Sequence, residues 1–261
     1  MSRVLRAIEE TPWLSTPSAL RMVLDIANRE TDIDAVAAKL GKPLENTRTA
    51  EVRDGVAIIP VTGTIVRYSS LFTDICGGVS TEVLARDLNA ALENDRVHTV
   101  LFNIDSPGGE ASGIAELSDM IVAAREKKKI VAYVDDLAAS AGYWFASAAD
   151  HIAASKTAMV GSIGVVFTMR EKEGSGIEIV SRVSPRKRPD ISTPEGLSQI
   201  QAWADKLGDI FVEAVAENRG VSTDTVLDRF GQGDLLVGRE ALEAGMVDEI
   251  TTFEALIANL I

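Results

Sequence analysis

The chain changes rhythm near residue 50. Before that point, apolar residues recur at helical spacing. Leu20, Val23, Leu24 and Ala27 form one such set, Ile33 to Leu40 continues the habit, and Gly41-Lys-Pro43 closes it. This pattern predicts an N-terminal helical arm over residues 1–50, with a polar linker from Glu45 to Asp54. From Gly55 onward, short β-rich runs alternate with helical stretches. Val56 to Ile65 is the first strand run, with Pro60 arguing for an edge or bulge. Ser80 is placed to cap a helix over Thr81 to Glu93, whose Val83, Leu84, Leu88 and Leu92 share one face.

Thr99 to Ile104 and Ile130 to Val134 read as further strands, separated by a helix from about Ile114 to Glu126. A helix opening near Leu137 follows, then strands at His151 to Ser155 and Ile177 to Val183. Beyond Pro194, residues Ile200, Trp203, Leu207, Ile210, Phe211 and Ala214 mark a long amphipathic helix ended by Gly220. A short helix over Thr223 to Arg229 and a β–α–β–α stretch close the chain. Apolar strands separated by helices predict an α/β domain over residues 51–261, built on a mostly parallel, covered sheet.

Composition narrows the picture. With 261 residues, of which 46% are hydrophobic, the chain can bury a sizeable core. Its 39 acidic against 26 basic residues give a formal charge of −13, which argues against nucleic acid or an anionic membrane as the main partner. No run approaches the ~20 apolar residues of a spanning helix, and no secretory leader pattern opens the chain, so a soluble, cytoplasmic protein without a membrane anchor is expected. The single cysteine, Cys76, rules out an intrachain disulfide. There is no Cys/His ligand cluster and no Walker-type phosphate loop, so no metal or nucleotide cofactor is implied.

Two segments carry candidate chemistry. Asp105-Ser-Pro-Gly-Gly109 is a glycine turn after a strand, and Ser140 lies in Leu137-Ala-Ala-Ser-Ala-Gly-Tyr-Trp144 at the next strand-to-helix junction. In a parallel α/β sheet such junctions gather at one end, where ligands bind. Gly108, Gly109 and the Ala141 N–H have the character of oxyanion-hole donors around a Ser140 nucleophile. Taken alone, the same residues read more readily as a tight turn and a helix-start serine.

The base is the open question. The only histidines are His98, before a strand at the wrong end of the sheet, and His151, beside Asp150 and readable as a satisfied edge residue. Lys187, in Ser184-Pro-Arg-Lys-Arg-Pro-Asp190, is the alternative, with Lys172 a distant second choice. A lysine acts as a base only when neutral, which burial and neighbouring positive charge favour. Otherwise this segment is a solvated basic loop.

In family order, the chain carries Val61-Thr-Gly63, Asp105-Ser-Pro-Gly-Gly109, Ala139-Ser-Ala-Gly-Tyr143, Gly161-Ser-Ile-Gly-Val165 and Gly238-Arg-Glu-Ala-Leu-Glu-Ala-Gly-Met-Val-Asp248. With these it resembles the signal peptide peptidase A family of serine peptidases, relatives of the Clp protease within the crotonase-like superfamily. The Pro12-Trp13 arm without an anchor looks most like phage and prophage members, which process capsid or scaffold proteins. The resemblance implies a crotonase/Clp-protease-like spiral of ββα units and a serine–lysine dyad. In that dyad Ser140 is the nucleophile and Lys187 the base, with Gly109, Gly108 and Ala141 as the oxyanion hole. Where many members have Gly-x-His/Tyr-Lys, this chain has Ser-Pro-Arg-Lys-Arg. The Clp protease places a histidine near the segment matching Gly161 to Val165, and this chain has none there.

The resemblance further implies a polypeptide substrate, a homo-oligomer in some members completing the dyad across subunits, and a location in the host cytoplasm or phage prohead. A signal-peptide-degrading enzyme, a crotonase-type acyl-CoA enzyme and a catalytically silent assembly scaffold are the rival readings.

Overall fold

Short apolar strands that can satisfy their backbone groups only in one another's company dictate the architecture. A computed structural model describes residues 13–16, 49–69, 78–169, 180–184 and 186–261. In chain order the elements begin with β1 (Trp13–Ser15), β2 (Glu51–Arg53), β3 (Val56–Thr62), β4 (Ile65–Val66) and β5 (Val79–Ser80). Helix α1 (Thr81–Glu93), β6 (Thr99–Ser106), β7 (Gly108–Glu110), α2 (Ile114–Ala124), β8 (Lys129–Ala139) and α3 (Ala141–Ser147) follow. Then come β9 (His151–Ala154), β10 (Met159–Gly161), α4 (Pro194–Arg219), α5 (Thr223–Arg229), β11 (Leu235–Val237), α6 (Arg239–Ala244), β12 (Glu249–Ile250) and α7 (Phe253–Leu260).

The main sheet runs β11-β10-β8-β6-β3-β2, with β9 and β12 branching from β8. Pairing is parallel throughout except at its two ends, β11 on β10 and β2 on β3. Long β8 serves two neighbours: residues 131–134 pair with β9, and residues 137–139 pair with β10. Between them, the register with β6 jumps from Ile104↔Val134 to Ser106↔Ala138, a bulge that carries Asp135 and Asp136 to the surface. A second, smaller sheet, β1-β7-β4-β5, stands over the end of the first.

Alternation along β6 divides the core. Val100, Phe102 and Ile104 face α1, α2 and α3, and Phe102 meets Phe145 edge-on at 4.7 Å. Leu101 faces the opposite layer with Val131, Tyr133 and the α7 residues Leu256 and Ile257. Both sheet faces are therefore covered, which explains strands with no polar side. Helix α4 adds an outer brace by stacking Phe211 on Trp144, centroids 4.7 Å apart and 12° from parallel.

Local signals worked where they were self-contained. Ser80 caps α1 by accepting from the Val83 N–H (3.2 Å), and Thr193 caps α4 in the same way from Gly196 (3.1 Å). Gly220 ends α4 in the left-handed conformation. Three expectations need correction. The helix predicted from near Leu137 begins at Ala141, because β6 and β10 hold residues 137–139 in the sheet. Gly108–Glu110 is a strand rather than a bare turn. No strand covers residues 180–183, where Arg182 and Val183 lie in a turn; the rest of the expected strand at Ile177 lies outside the described residues. The predicted arm helices at residues 20–40 also lie outside them, whereas Trp13–Ser15 of that arm is a sheet strand.

Candidate active site

Ser140 sits at the point where β8 ends and α3 begins. Its backbone adopts φ 52° and ψ −117°, a conformation sparsely populated for a residue with a Cβ. Such a residue costs on the order of 1–3 kcal/mol and persists only where its surroundings over-determine it. The surroundings do so here. The Ser140 N–H donates to the Gly161 carbonyl (2.7 Å), while its own carbonyl accepts from Tyr143 and Trp144 (both 2.9 Å). The sharp turn puts Ser140 at the head of α3, just before Ala141, whose N–H as a first-turn amide has no partner within its helix. Oγ lies 3.5 Å from the Gly164 carbonyl, and the residue is 1% exposed.

The glycine strand lies close by. Built side chains cannot fit there: a Cβ on Gly108 (φ 95°) would overlap the Leu14 carbonyl and crowd that of Ala139, and one on Gly109 would overlap the Ile65 carbonyl. Only glycines let β1, β4 and the end of β8 approach together. The Gly108 N–H donates to Ser106 Oγ (3.2 Å), and Leu14 of β1 stands opposite Gly109 in the ladder.

Ser106 is the site residue that sequence reasoning missed. It is fully buried, and its hydroxyl donates to the Gly63 carbonyl (2.7 Å) while receiving the Gly108 N–H. It thereby ties Val61-Thr-Gly63, the glycine strand and α3 together, because Gly142 packs against it so closely that a Cβ would stand 3.1 Å from the Ser106 carbonyl. Its place inside Asp105-Ser-Pro-Gly-Gly109 was the available signal.

The other end of α3 is held by the Gly238–Asp248 motif. Buried Tyr143 donates its hydroxyl to the Met246 carbonyl (2.9 Å), and burial pushes its phenol well above the ordinary range. Asp248 accepts from the Ile152 N–H (2.8 Å) and from both Nη atoms of Arg219, one at 3.1 Å. Burial acts to raise the Asp248 carboxyl, but hydrogen bonds from Arg219 and the Ile152 N–H outweigh it and hold the group below the usual range.

The candidate bases lie elsewhere. Lys187 is exposed in a turn closed by its own N–H on the Ser184 carbonyl (3.1 Å), so the structure does not bring it to Ser140. Lys172 and Cys76 lie outside the described residues. His151 contacts Glu249 (3.2 Å) and Asp248 (3.8 Å), as a satisfied edge residue would, and His98 touches Thr99 Oγ1 (3.0 Å). Among the described residues, no group of three or more His, Cys, Asp or Glu side chains is arranged to hold a metal, and no helix is long and apolar enough to cross a membrane.

A family model described as Peptidase family S49 matches residues 123–261, from the end of α2 through Ser140 to the C-terminal helix. The chain belongs to peptidase family S49. Over 212 residues it is 31% identical to the head-tail preconnector protein GP5 of Enterobacteria phage P21, covering 78% of this chain and 42% of that protein. It is 29% identical over 212 residues to the capsid assembly protease C of Escherichia phage lambda, covering 78% and 48% respectively. The S49 chain thus spans less than half the length of either relative. Its fold is shared with a mutant of the 1510-N membrane-bound stomatin-specific protease, at a TM-score of 0.51 and 17% identity over 80% of this chain and 85% of that one. The mixed, mostly parallel α/β expectation therefore holds.

Proposed function

We propose that this chain is a serine endopeptidase in which Ser140 is the nucleophile and Lys187 the general base. The observation that carries the reading is the strained Ser140 turn, inside the span matched by the S49 family model and beside the Gly109 strand. Neutral Lys187 takes the Ser140 hydroxyl proton as Oγ attacks a peptide carbonyl carbon. The Gly109 and Ala141 N–H groups receive the oxyanion that forms. Lys187 then returns the proton to the departing amine, and water releases the acyl group by the reverse sequence.

Because Lys187 is exposed in the single chain and Ser140 is buried, the dyad needs an arrangement that covers the lysine. Association of copies, with the turn at residues 184–188 of one entering the site of another, meets that need. The phage relatives named for preconnector and capsid assembly roles support capsid or scaffold polypeptides as the substrate.

The test is mass spectrometry after prolonged exposure to a fluorophosphonate probe, at a concentration where the oligomer is populated. Label should appear on Ser140, vanish in Ser140→Ala, and fall roughly 10²–10⁴-fold in Lys187→Ala, the usual contribution of a general base. Undiminished labelling of Lys187→Ala removes Lys187 from the mechanism. Co-expression with capsid and scaffold proteins, followed by mapping of new termini, tests the substrate; intact partners at every ratio reject it.

A further inference from the structure

A nucleophile meant for other polypeptides should be reachable, yet Ser140 is 1% exposed. Strand β1 lies beside the glycine strand of the site. Its three residues run antiparallel to β7, with Trp13 opposite Glu110, Leu14 opposite Gly109 and Ser15 opposite Gly108. The Thr16 N–H donates to the Pro107 carbonyl (3.0 Å), which makes Leu14 and Gly109 the next hydrogen-bonded pair of the ladder. On its other edge, the Trp13 N–H donates to the Val166 carbonyl (3.1 Å), and the Val166 N–H returns a bond to the Trp13 carbonyl (3.0 Å). Thus β1 is held by main-chain bonds on both edges, between the glycine strand and the segment that follows β10.

The slot it fills belongs to the site. One wall contains Gly109, and the other continues from Gly161 and Gly164, whose carbonyls contact Ser140. The Leu14 carbonyl lies where a Cβ of Gly108 would stand, beside the end of β8. Neighbouring strands lie ~4.8 Å apart, so the slot accommodates one chain at a time.

We infer that Trp13–Thr16 is a built-in occupant of the peptide-binding cleft, which an incoming substrate strand must displace. The inference rests on the proposed peptidase reading of this site. Pairing of this kind is main-chain recognition, as in the addition of a peptide strand to a sheet, and the same bonds are available to any extended segment. The occupant is short by construction. Pro12 and Pro17 flank it, and because neither has an N–H to donate, pairing is limited at both ends. Its hold comes instead from burying Trp13 and Leu14, which are 3% and 1% exposed.

The test uses the full chain carrying Ser140→Ala, with or without Trp13→Pro, which removes the N–H bonded to Val166. The probe is a fluorescent peptide of sequence Thr-Pro-Trp-Leu-Ser-Thr, identical to residues 11–16. It should bind the Trp13→Pro protein at least 10-fold more tightly than the parent, and the same peptide with proline for tryptophan should not bind. In chains that retain Ser140, fluorophosphonate labelling should be at least 10-fold faster with Trp13→Pro. Equal peptide affinity in the two proteins overturns the inference. If Ser140 is never labelled but the peptide still binds as expected, the cleft reading stands and the peptidase reading falls. Should Trp13→Pro fail to fold by circular dichroism, hydrogen exchange on the unaltered chain decides. Trp13 and Val166 amides exchanging at least 100-fold faster than those of Val100 and Phe102 support a displaceable strand. Equal protection marks β1 as a permanent part of the sheet and overturns the inference.

Discussion

Replacing Ser106 by alanine removes one hydroxyl and leaves two main-chain groups without their partner. The Gly108 N–H is buried, and stranding such a donor costs about 1–3 kcal/mol. The Gly63 carbonyl is only part-buried and can recruit water, so its loss lies at or below the lower end of that range. The sum, about 1–4 kcal/mol, is a sizeable share of the roughly 5–15 kcal/mol that stabilises a typical domain. At about 2–4 °C per kcal/mol for a domain of this size, the melting temperature should fall by about 2–16 °C.

Activity should fall further than stability does, because an unanchored Gly108 releases the strand that carries Gly109, the proposed oxyanion donor. Urea titration gives the first quantity, and fluorophosphonate labelling at a temperature where the variant is fully folded gives the second. Ser106→Ala within 0.5 kcal/mol of the parent and labelled at the same rate would refute the idea that this hydroxyl holds the turn.

Other outcomes follow from the same contacts. Tyr143→Phe strands the Met246 carbonyl at the far end of α3 and should cost about 1–2 kcal/mol in urea unfolding. Phe211→Ala removes the ring stacked on Trp144 and should cost about 3–5 kcal/mol by the same measurement. Gly109→Ala forces a methyl into the Ile65 carbonyl and should abolish labelling of Ser140, measurable on whatever fraction remains folded. For Asp248 the depressed carboxyl makes the contribution fully present above its unfolded value of about 3.9, and it is lost as pH falls through the lower folded value. The parent should therefore lose stability more steeply than Asp248→Asn on going from pH 5 to pH 2, as read from urea midpoints.

What was legible in advance was local. The cap at Ser80, the apolar face of α1, the span of α4 and its Gly220 stop are each decided within a few residues, so spacing alone locates them. What was not legible depends on partners distant in sequence. Leu137-Ala-Ala139 has helix-favouring composition, yet it is strand because Met159–Gly161 and Ser106 pair with it from either side. Gly108 and Gly109 read as a turn, since glycine disfavours strands; their reason for being glycine is the approach of the Leu14 and Ile65 carbonyls. Trp13–Ser15 has no periodicity long enough to announce a strand, and pairing with β7 on one edge and Val166 on the other makes it one. The Ser106 hydroxyl lies inside Asp105-Ser-Pro-Gly-Gly109, but its double use depends on Gly63 and Gly108 meeting it in the fold.

These distant contacts also explain how the chain sustains an unfavourable backbone at Ser140. A strained residue relaxes unless both flanks are pinned. Upstream, Ala138 and Ala139 are fixed between β6 and β10. Downstream, the Tyr143 hydroxyl is fixed by Met246, and the Met246 segment is fixed in turn by Arg219 and Asp248 against β9. The motif from Gly238 to Asp248 therefore bears on the Ser140 turn from a distance: it holds the turn's downstream flank. Weakening it should first show as slower reaction at Ser140 and only then as unfolding. Tyr143→Phe separates the two, because its modest stability cost leaves the protein folded while α3 gains freedom. A labelling rate unchanged in that variant would mean that the upstream pairing alone maintains the turn.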